Sequence, residues 1–324
     1  MKNFIKKIIG KLGYKLVKLT KDRKISIDSF VTANRRPKIY DCFIFNDELS
    51  LLKIRLAYLY NHVEKFVLCE STRNFSGKSK PLQFAENAAD FEVWMDKIIH
   101  IKYDPDISGF NFDRPNQYDS SHPAWLLEAG QRNKLQSEVS QLDDDCLVVL
   151  TDVDEIWNAD TIDKIYAAMC SRNIPIARLE MDFFYYFMNC IGVGSGNSNW
   201  ILPVCMTGNA ASNKNLGSFN SRRQNSSEYK IFPSAGWHFS YLGGPEAVIR
   251  KIESFSHQEY NISTYTERTR IENCIKMGID LFDRAGHKWA FCSLDRFPSD
   301  LSSLFLERPE FCRTDLSPVK KGDA

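Results

Sequence analysis

The sequence predicts an α/β protein: a mostly parallel central sheet with helices on both faces. From residue 37 onward, short apolar runs alternate with amphipathic stretches of helical length, the pattern of recurring β–α units. The most apolar of those runs, CLVVL (146–150), reads as a strand buried on both faces, as parallel strands are. A chain of 324 residues, 43% hydrophobic and 26% charged, is also long enough to bury a large core.

Each element follows from local pattern. IYDCFIF (39–45) is an aromatic-rich strand, and Asn46 then offers a helix cap ahead of a stripe formed by Leu49, Leu52, Leu56 and Leu59. KFVLCE (65–70) is a second strand, followed by a polar loop, and KIIHIK (97–102) is a third. A helix over about 125–142 leads into CLVVL, whose carboxyl end delivers TDVDE. A helix near 162–170 and a strand over 176–188 continue the alternation. The segment 207–227 is dominated by Gly, Asn, Ser and Lys and reads as a long flexible loop of lid length. GWHFSYL then forms a strand, and GGPE opens a last helix. No internal repeat or sharp linker divides the chain, so the expectation is one domain over 37–300, preceded by a basic segment (1–36) and followed by a polar tail (301–324).

The formal net charge of +1 gives no field that would attract nucleic acid. Nine cysteines without CxxC pairs, mostly inside apolar runs, suit reduced core residues of a cytoplasmic protein rather than disulfides or zinc ligands. Basic residues concentrate at the start, where Phe4, Ile5, Ile8, Ile9, Leu12, Leu16 and Leu19 share one helical face and lysines fill the other. That pattern predicts an in-plane helix over residues 1–24 on an anionic membrane surface, too interrupted to span a bilayer.

In an open α/β sheet, ligands bind beyond the carboxyl ends of the strands. Asp152, Asp154 and Glu155 fall there. Two carboxylates one residue apart can converge on a hard cation, Mn²⁺ or Mg²⁺, that keeps open positions for diphosphate oxygens. Acidic pairs after strands also occur as caps and solvated turns.

The order of motifs adds to this. YDCFIFNDELSLLKIRL, FVLCESTRNFSGKSKPL, QRNKL, VVLTDVDEI and GWHFSYLGGPE resemble the blocks of glycosyltransferase family 17, the bisecting N-acetylglucosaminyltransferase family, over roughly residues 40–260. The resemblance implies a GT-A-like fold and a divalent metal. It also implies inverting transfer of N-acetylglucosamine from UDP-N-acetylglucosamine to a glycan, and the basic helix over residues 1–24 suits a lipid-linked acceptor on the cytoplasmic face of a membrane.

It further implies residue roles. Asp152, Asp154 and a late histidine, His238, would hold the metal. Asn46 and Glu48 would meet the nucleotide, although Asn46, Asp47 and Glu48 also suit a helix start. Glu70 would accept from uracil or ribose, Lys78 would meet phosphate, and Arg132 with Asn133 would face the diphosphate or a motif acid. Inverting transfer needs a general base. Glu246, behind Gly243 and Gly244, is the first choice and Asp182 the second. Two rival readings compete: a non-catalytic, transferase-like carbohydrate-binding protein, and a DxD phosphatase, whose nucleophilic Asp belongs on the first strand of its domain.

Overall fold

The computed structural model describes residues 36–139, 142, 145–224 and 229–313, which form a mixed α/β body around a ten-stranded sheet. The basic segment 1–36, with its expected membrane helix, lies apart from Arg36 outside the described residues. Among the described residues no helix is long and apolar enough to cross a membrane.

Strand β1 (Lys38–Phe45) leads into helix α1 (Leu49–Leu59), then β2 (Lys65–Ser71) and β3 (Ile98–Tyr103). Helix α2 (Pro123–Glu138) precedes β4 (Cys146–Asp152), the short β5 (Glu155–Trp157), helix α3 (Ala159–Arg172) and β6 (Ile176–Tyr185). After β7 (Cys190–Gly192) and β8 (Val204–Thr207), helix α4 (Phe219–Gln224) is followed by β9 (Lys230–Ser240) and helix α5 (Gly244–Ser254). Helix α6 (Arg268–Met277), β10 (Trp289–Phe291) and helix α7 (Ser299–Leu306) complete the described chain.

The sheet runs β10-β7-β6-β8-β4-β1-β2-β3, with β9 joining β6 and β5. Strands β4, β1, β2 and β3 are parallel, whereas β8 is inserted antiparallel between β4 and β6. Register aligns the carboxyl ends: Ile44 lies opposite Asp152, and Phe45 opposite Glu70. β5 pairs antiparallel with β9 and sets Glu155 opposite His238. A chain segment some 80 residues distant is thereby brought onto the DVDE turn.

Leu147 and Val149 belong to one core with Phe43, Leu52, Leu56 and Leu59, while Val148 and Leu150 belong to a second with Val67, Leu135 and Met206. β4 is therefore buried on both faces, as its unbroken apolar run requires.

Two expectations change. The stretch 207–227, read as a flexible loop, carries helix α4 and two other short helical turns through residue 224. It folds because Arg222, fully buried, donates to the carbonyls of Ala210, Asn213 and Gly217 and so ties the stretch to itself. The tail expected from residue 301 is not simply polar, since Leu301, Phe305, Phe311 and Cys312 pack into the main core. All nine cysteines are free, and eight are buried.

Candidate active site

A cleft of about 860 Å³ opens beyond the carboxyl ends of β1 and β4, walled by the turn after β1, helix α2, the DVDE turn, the end of β9 and helix α5. Its floor is built by arginines. Arg55, in the buried stripe of α1, is fully inaccessible and forms a two-point pair with Asp41, at 2.8 Å and 2.6 Å. Its remaining donors go to the DVDE turn: Nη1 to the carbonyls of Asp152 (3.1 Å), Val153 (3.3 Å) and Glu155 (2.7 Å), and Nη2 to Thr151 Oγ1 (2.6 Å). One side chain thus binds three main-chain carbonyls where β4 gives way to β5.

The acids of the turn diverge. Asp152 accepts from Arg132 through both oxygens (3.0 Å and 2.9 Å from Nη2) and from Arg223 Nη2 (2.9 Å). Burial opposes its ionisation, but the two guanidinium groups prevail and hold its pKa below the ordinary value. Glu155 is fully buried and turned inward, where it accepts from Arg223, Trp200 Nε1 and the Asp152 amide.

Asp154 faces Lys251 Nζ at 2.7 Å and His238 Nε2 at 3.4 Å. Its pKa is driven far down, because Lys251 and then His238 outweigh a large burial penalty. The Phe239 amide donates to the Asp154 carbonyl at 2.8 Å and fixes this apposition. His238 stacks on Phe183 (ring centroids 4.7 Å apart, planes 5° apart) and also touches Trp200, which itself meets Phe183.

Of the residues expected in the site, Asn46, Glu48, Arg132, Asp152, Asp154 and His238 line the cleft. The Glu48 carboxylate accepts from the Asn46 and Asp47 amides, and burial together with Asp47 raises its pKa to about 7. Lys78 lies instead in a smaller adjoining recess with Lys80 and Arg250. Glu70 is fully buried away from the cleft, where it accepts from the Phe84 amide and meets His100 and Lys80. Asn133 accepts the Asn220 amide and anchors α4.

The two expected bases are not on the cleft wall. Glu246 is exposed on the first turn of α5 and pairs with Arg268, and Asp182 meets Arg296 at 3.4 Å. Phe183 and Tyr185 of β6 line the cleft, so the opposite side of the strand carries Asp182 away from it, and Glu246 sits in the first turn of α5, where the helix dipole favours an acid.

Sequence reasoning missed Arg55, Arg223 and Lys251. The signal for Arg55 was a charged residue at i+3 within the Leu52/Leu56/Leu59 stripe, a position that faces the core.

Among the described residues no three His, Cys, Asp or Glu side chains converge as a metal cage. The expected trio therefore reduces to two. Asp152 is committed to two arginines, but the Asp154 carboxylate and the His238 imidazole stand together on the cleft wall. One carboxylate oxygen and one imidazole nitrogen are a donor set that fits Mn²⁺, a cation commonly completed by substrate phosphates and water.

Comparison with known proteins gives three results. Solved structures of S. aureus TarS are similar at low level: one at 10% identity over 66% of this chain and 38% of that chain, and the TarS 1-349 form at 7% identity over 84% and 85%, both with a TM-score of 0.35. At that score the likeness carries no argument, and the chain spans well under half of the first of these. No curated protein matches. The model of glycosyltransferase family 17 matches residues 7–300, which takes in every element lining the cleft up to α5, and the chain belongs to that family.

Proposed function

We propose that this protein is an inverting glycosyltransferase that moves N-acetylglucosamine from UDP-N-acetylglucosamine to a glycan acceptor and holds Mn²⁺ or Mg²⁺ through Asp154 and His238. The observation that carries the reading is the pairing of Asp154 with His238 at the mouth of β4 and β9, inside a cleft at the carboxyl ends of parallel strands. A bound divalent cation would supply counter-charge for the departing nucleoside diphosphate.

The chain's own residues account for the rest. Arg55, Arg132 and Arg223 fix the DVDE turn before substrate arrives, so little reorganisation accompanies the reaction. The cluster of Phe183, Trp200 and His238 on the cleft wall suits the apolar face of a sugar. Among the described carboxylates on the cleft wall, Glu128, Asp152 and Asp154 are engaged by Arg132, Arg223 and Lys251, and Asp47 lies 3.8 Å from Arg250. Removal of the acceptor proton then falls to Glu48 or Glu310. The lysine-rich face of residues 1–24 supports a lipid-linked acceptor on an anionic membrane.

Donor hydrolysis tests the proposal. Purified protein is given UDP-N-acetylglucosamine and other nucleotide sugars with Mn²⁺ or EDTA, and wild type is compared with Asp154→Ala. Release of UDP that needs Mn²⁺ and disappears in the variant supports it. Absence of release and of metal-dependent binding with every donor favours a non-catalytic carbohydrate-binding role.

A further inference from the structure

Lys251 lies outside the roles assigned above, yet it makes the shortest contact to Asp154. Its Nζ stands 2.7 Å from Asp154 Oδ2, and its ammonium lies 5.2 Å from the centre of the Tyr241 ring. A divalent cation bonded to that oxygen, at about 2.1 Å, would sit against the ammonium, and two positive charges that close repel strongly where water is scarce. Sharing Oδ2 between them is costly, so the ammonium and the cation compete for it.

The other cations of the cleft differ in kind. Arg132 and Arg223 are almost fully buried and locked by several hydrogen bonds, Arg284 is committed to Asp280, and the exposed Arg250 lies 3.8 Å from Asp47 rather than on a motif acid. Lys251 is held on Asp154 by one hydrogen bond, and its side chain keeps 27% of its surface exposed toward the cleft. A lysine ammonium is a point charge on a flexible stem, able to move several ångströms by rotating its side chain. Once displaced it must find another anion, and the nearest that the reaction brings is the donor diphosphate.

We propose that Lys251 and the divalent cation are alternative partners of Asp154, and that the ammonium released from Asp154 becomes a ligand of the donor's diphosphate. This rests on the metal and donor reading above. Metal and nucleotide binding are then coupled through one side chain: the cation frees Lys251 for the diphosphate, and the diphosphate draws Lys251 away from the metal's oxygen. By linkage each ligand raises the affinity of the other by the same factor.

Calorimetric titration of the full chain with Mn²⁺ alone, UDP alone, and each in the presence of the other tests the exchange in wild type and Lys251→Met. Wild type is expected to show mutual enhancement of about tenfold, within the usual range of coupling between sites. Lys251→Met, its competitor removed, is expected to bind Mn²⁺ alone about threefold or more tighter, and to bind UDP with Mn²⁺ about tenfold more weakly. Lys251→Arg keeps the charge and serves if the methionine variant fails to fold. Its two-pronged grip on Asp154 is expected to weaken Mn²⁺ binding below wild type. Wild type that binds both ligands while the variants bind Mn²⁺ as it does overturns the exchange alone. Wild type whose UDP affinity ignores Mn²⁺ overturns the metal reading and the exchange with it.

Discussion

Replacing Arg55 with methionine removes the one side chain that joins α1, β1 and the DVDE turn. Asp41, fully buried, would be left without its two-point partner, and breaking a buried pair from one side costs about 3–5 kcal/mol. The carbonyls of Asp152, Val153 and Glu155 would each lose a donor, at roughly 1 kcal/mol or more apiece. Trp157 Nε1 still donates to Asp41 at 3.0 Å and moderates the first loss. The total is on the order of 6 kcal/mol, comparable with the whole stability of an ordinary domain. At about 2 °C per kcal/mol for a chain of this length, the melting midpoint falls by about 12 °C, if the variant folds at all. Scanning fluorimetry and urea titration read the loss. The double variant Asp41→Leu with Arg55→Met removes the stranded carboxyl group and is expected to recover part of the stability but not the donor turnover, because the turn carbonyls stay unsupported. Arg55→Met melting within about 3 °C of wild type, or full turnover in the double variant, would refute the assignment of Arg55 as the clamp of this turn.

Glu48 gives a pH signature. Its folded pKa of about 7 exceeds the ordinary 4.5, so its contribution to stability is complete below pH 4.5 and is lost as pH rises through 7. In EDTA, wild type should therefore lose melting temperature relative to Glu48→Gln between pH 5 and pH 8, and parallel pH curves would contradict this. Gly236→Ala places a Cβ 2.4 Å from the Ile156 carbonyl and 2.8 Å from Trp157 Cα, which forces β5 off β9. It should lower stability by about 1–3 kcal/mol and weaken Mn²⁺ binding, because His238 is positioned by that pairing. Glu246→Gln and Asp182→Asn stand off the cleft wall in partly exposed ion pairs, so each should leave donor turnover within about threefold of wild type; a thousandfold loss in either would restore it as the base.

What could be read from the sequence was what is local. CLVVL announced a strand buried on both faces because every one of its side chains must avoid water, and the acids that follow it were then bound to lie at the sheet's edge. The opposition of His238 to Glu155 depends on an antiparallel pairing across some 80 residues, which periodicity cannot report; the resemblance to a family suggested only that His238 joins the motif acids. Glu70 ends a strand beside the cleft, but the partners that turn it inward, His100 and the Phe84 amide, come from a neighbouring strand and a later helix. Arg223 was hidden by composition: a stretch rich in Gly, Asn and Ser reads as loop, and its order comes from the buried Arg222 bonding to its own carbonyls.

The divergence of Asp152 and Asp154 follows from how the turn is held. Arg55 binds the carbonyls of residues 152, 153 and 155 from the side of β1, so the turn cannot rotate to bring both carboxylates onto one point. Charge then decides which of them is open to a cation. Asp152 meets two guanidinium groups whose forks are satisfied by Glu128, Asn220 and Glu155 as well, so a cation arriving there would face two fixed positive charges with nowhere to go. Asp154 meets one ammonium on a flexible stem and one imidazole that can present a bare nitrogen. A motif that in sequence offers two equivalent acids is thus divided by its neighbours into one that shapes the floor of the cleft and one that can exchange its partner.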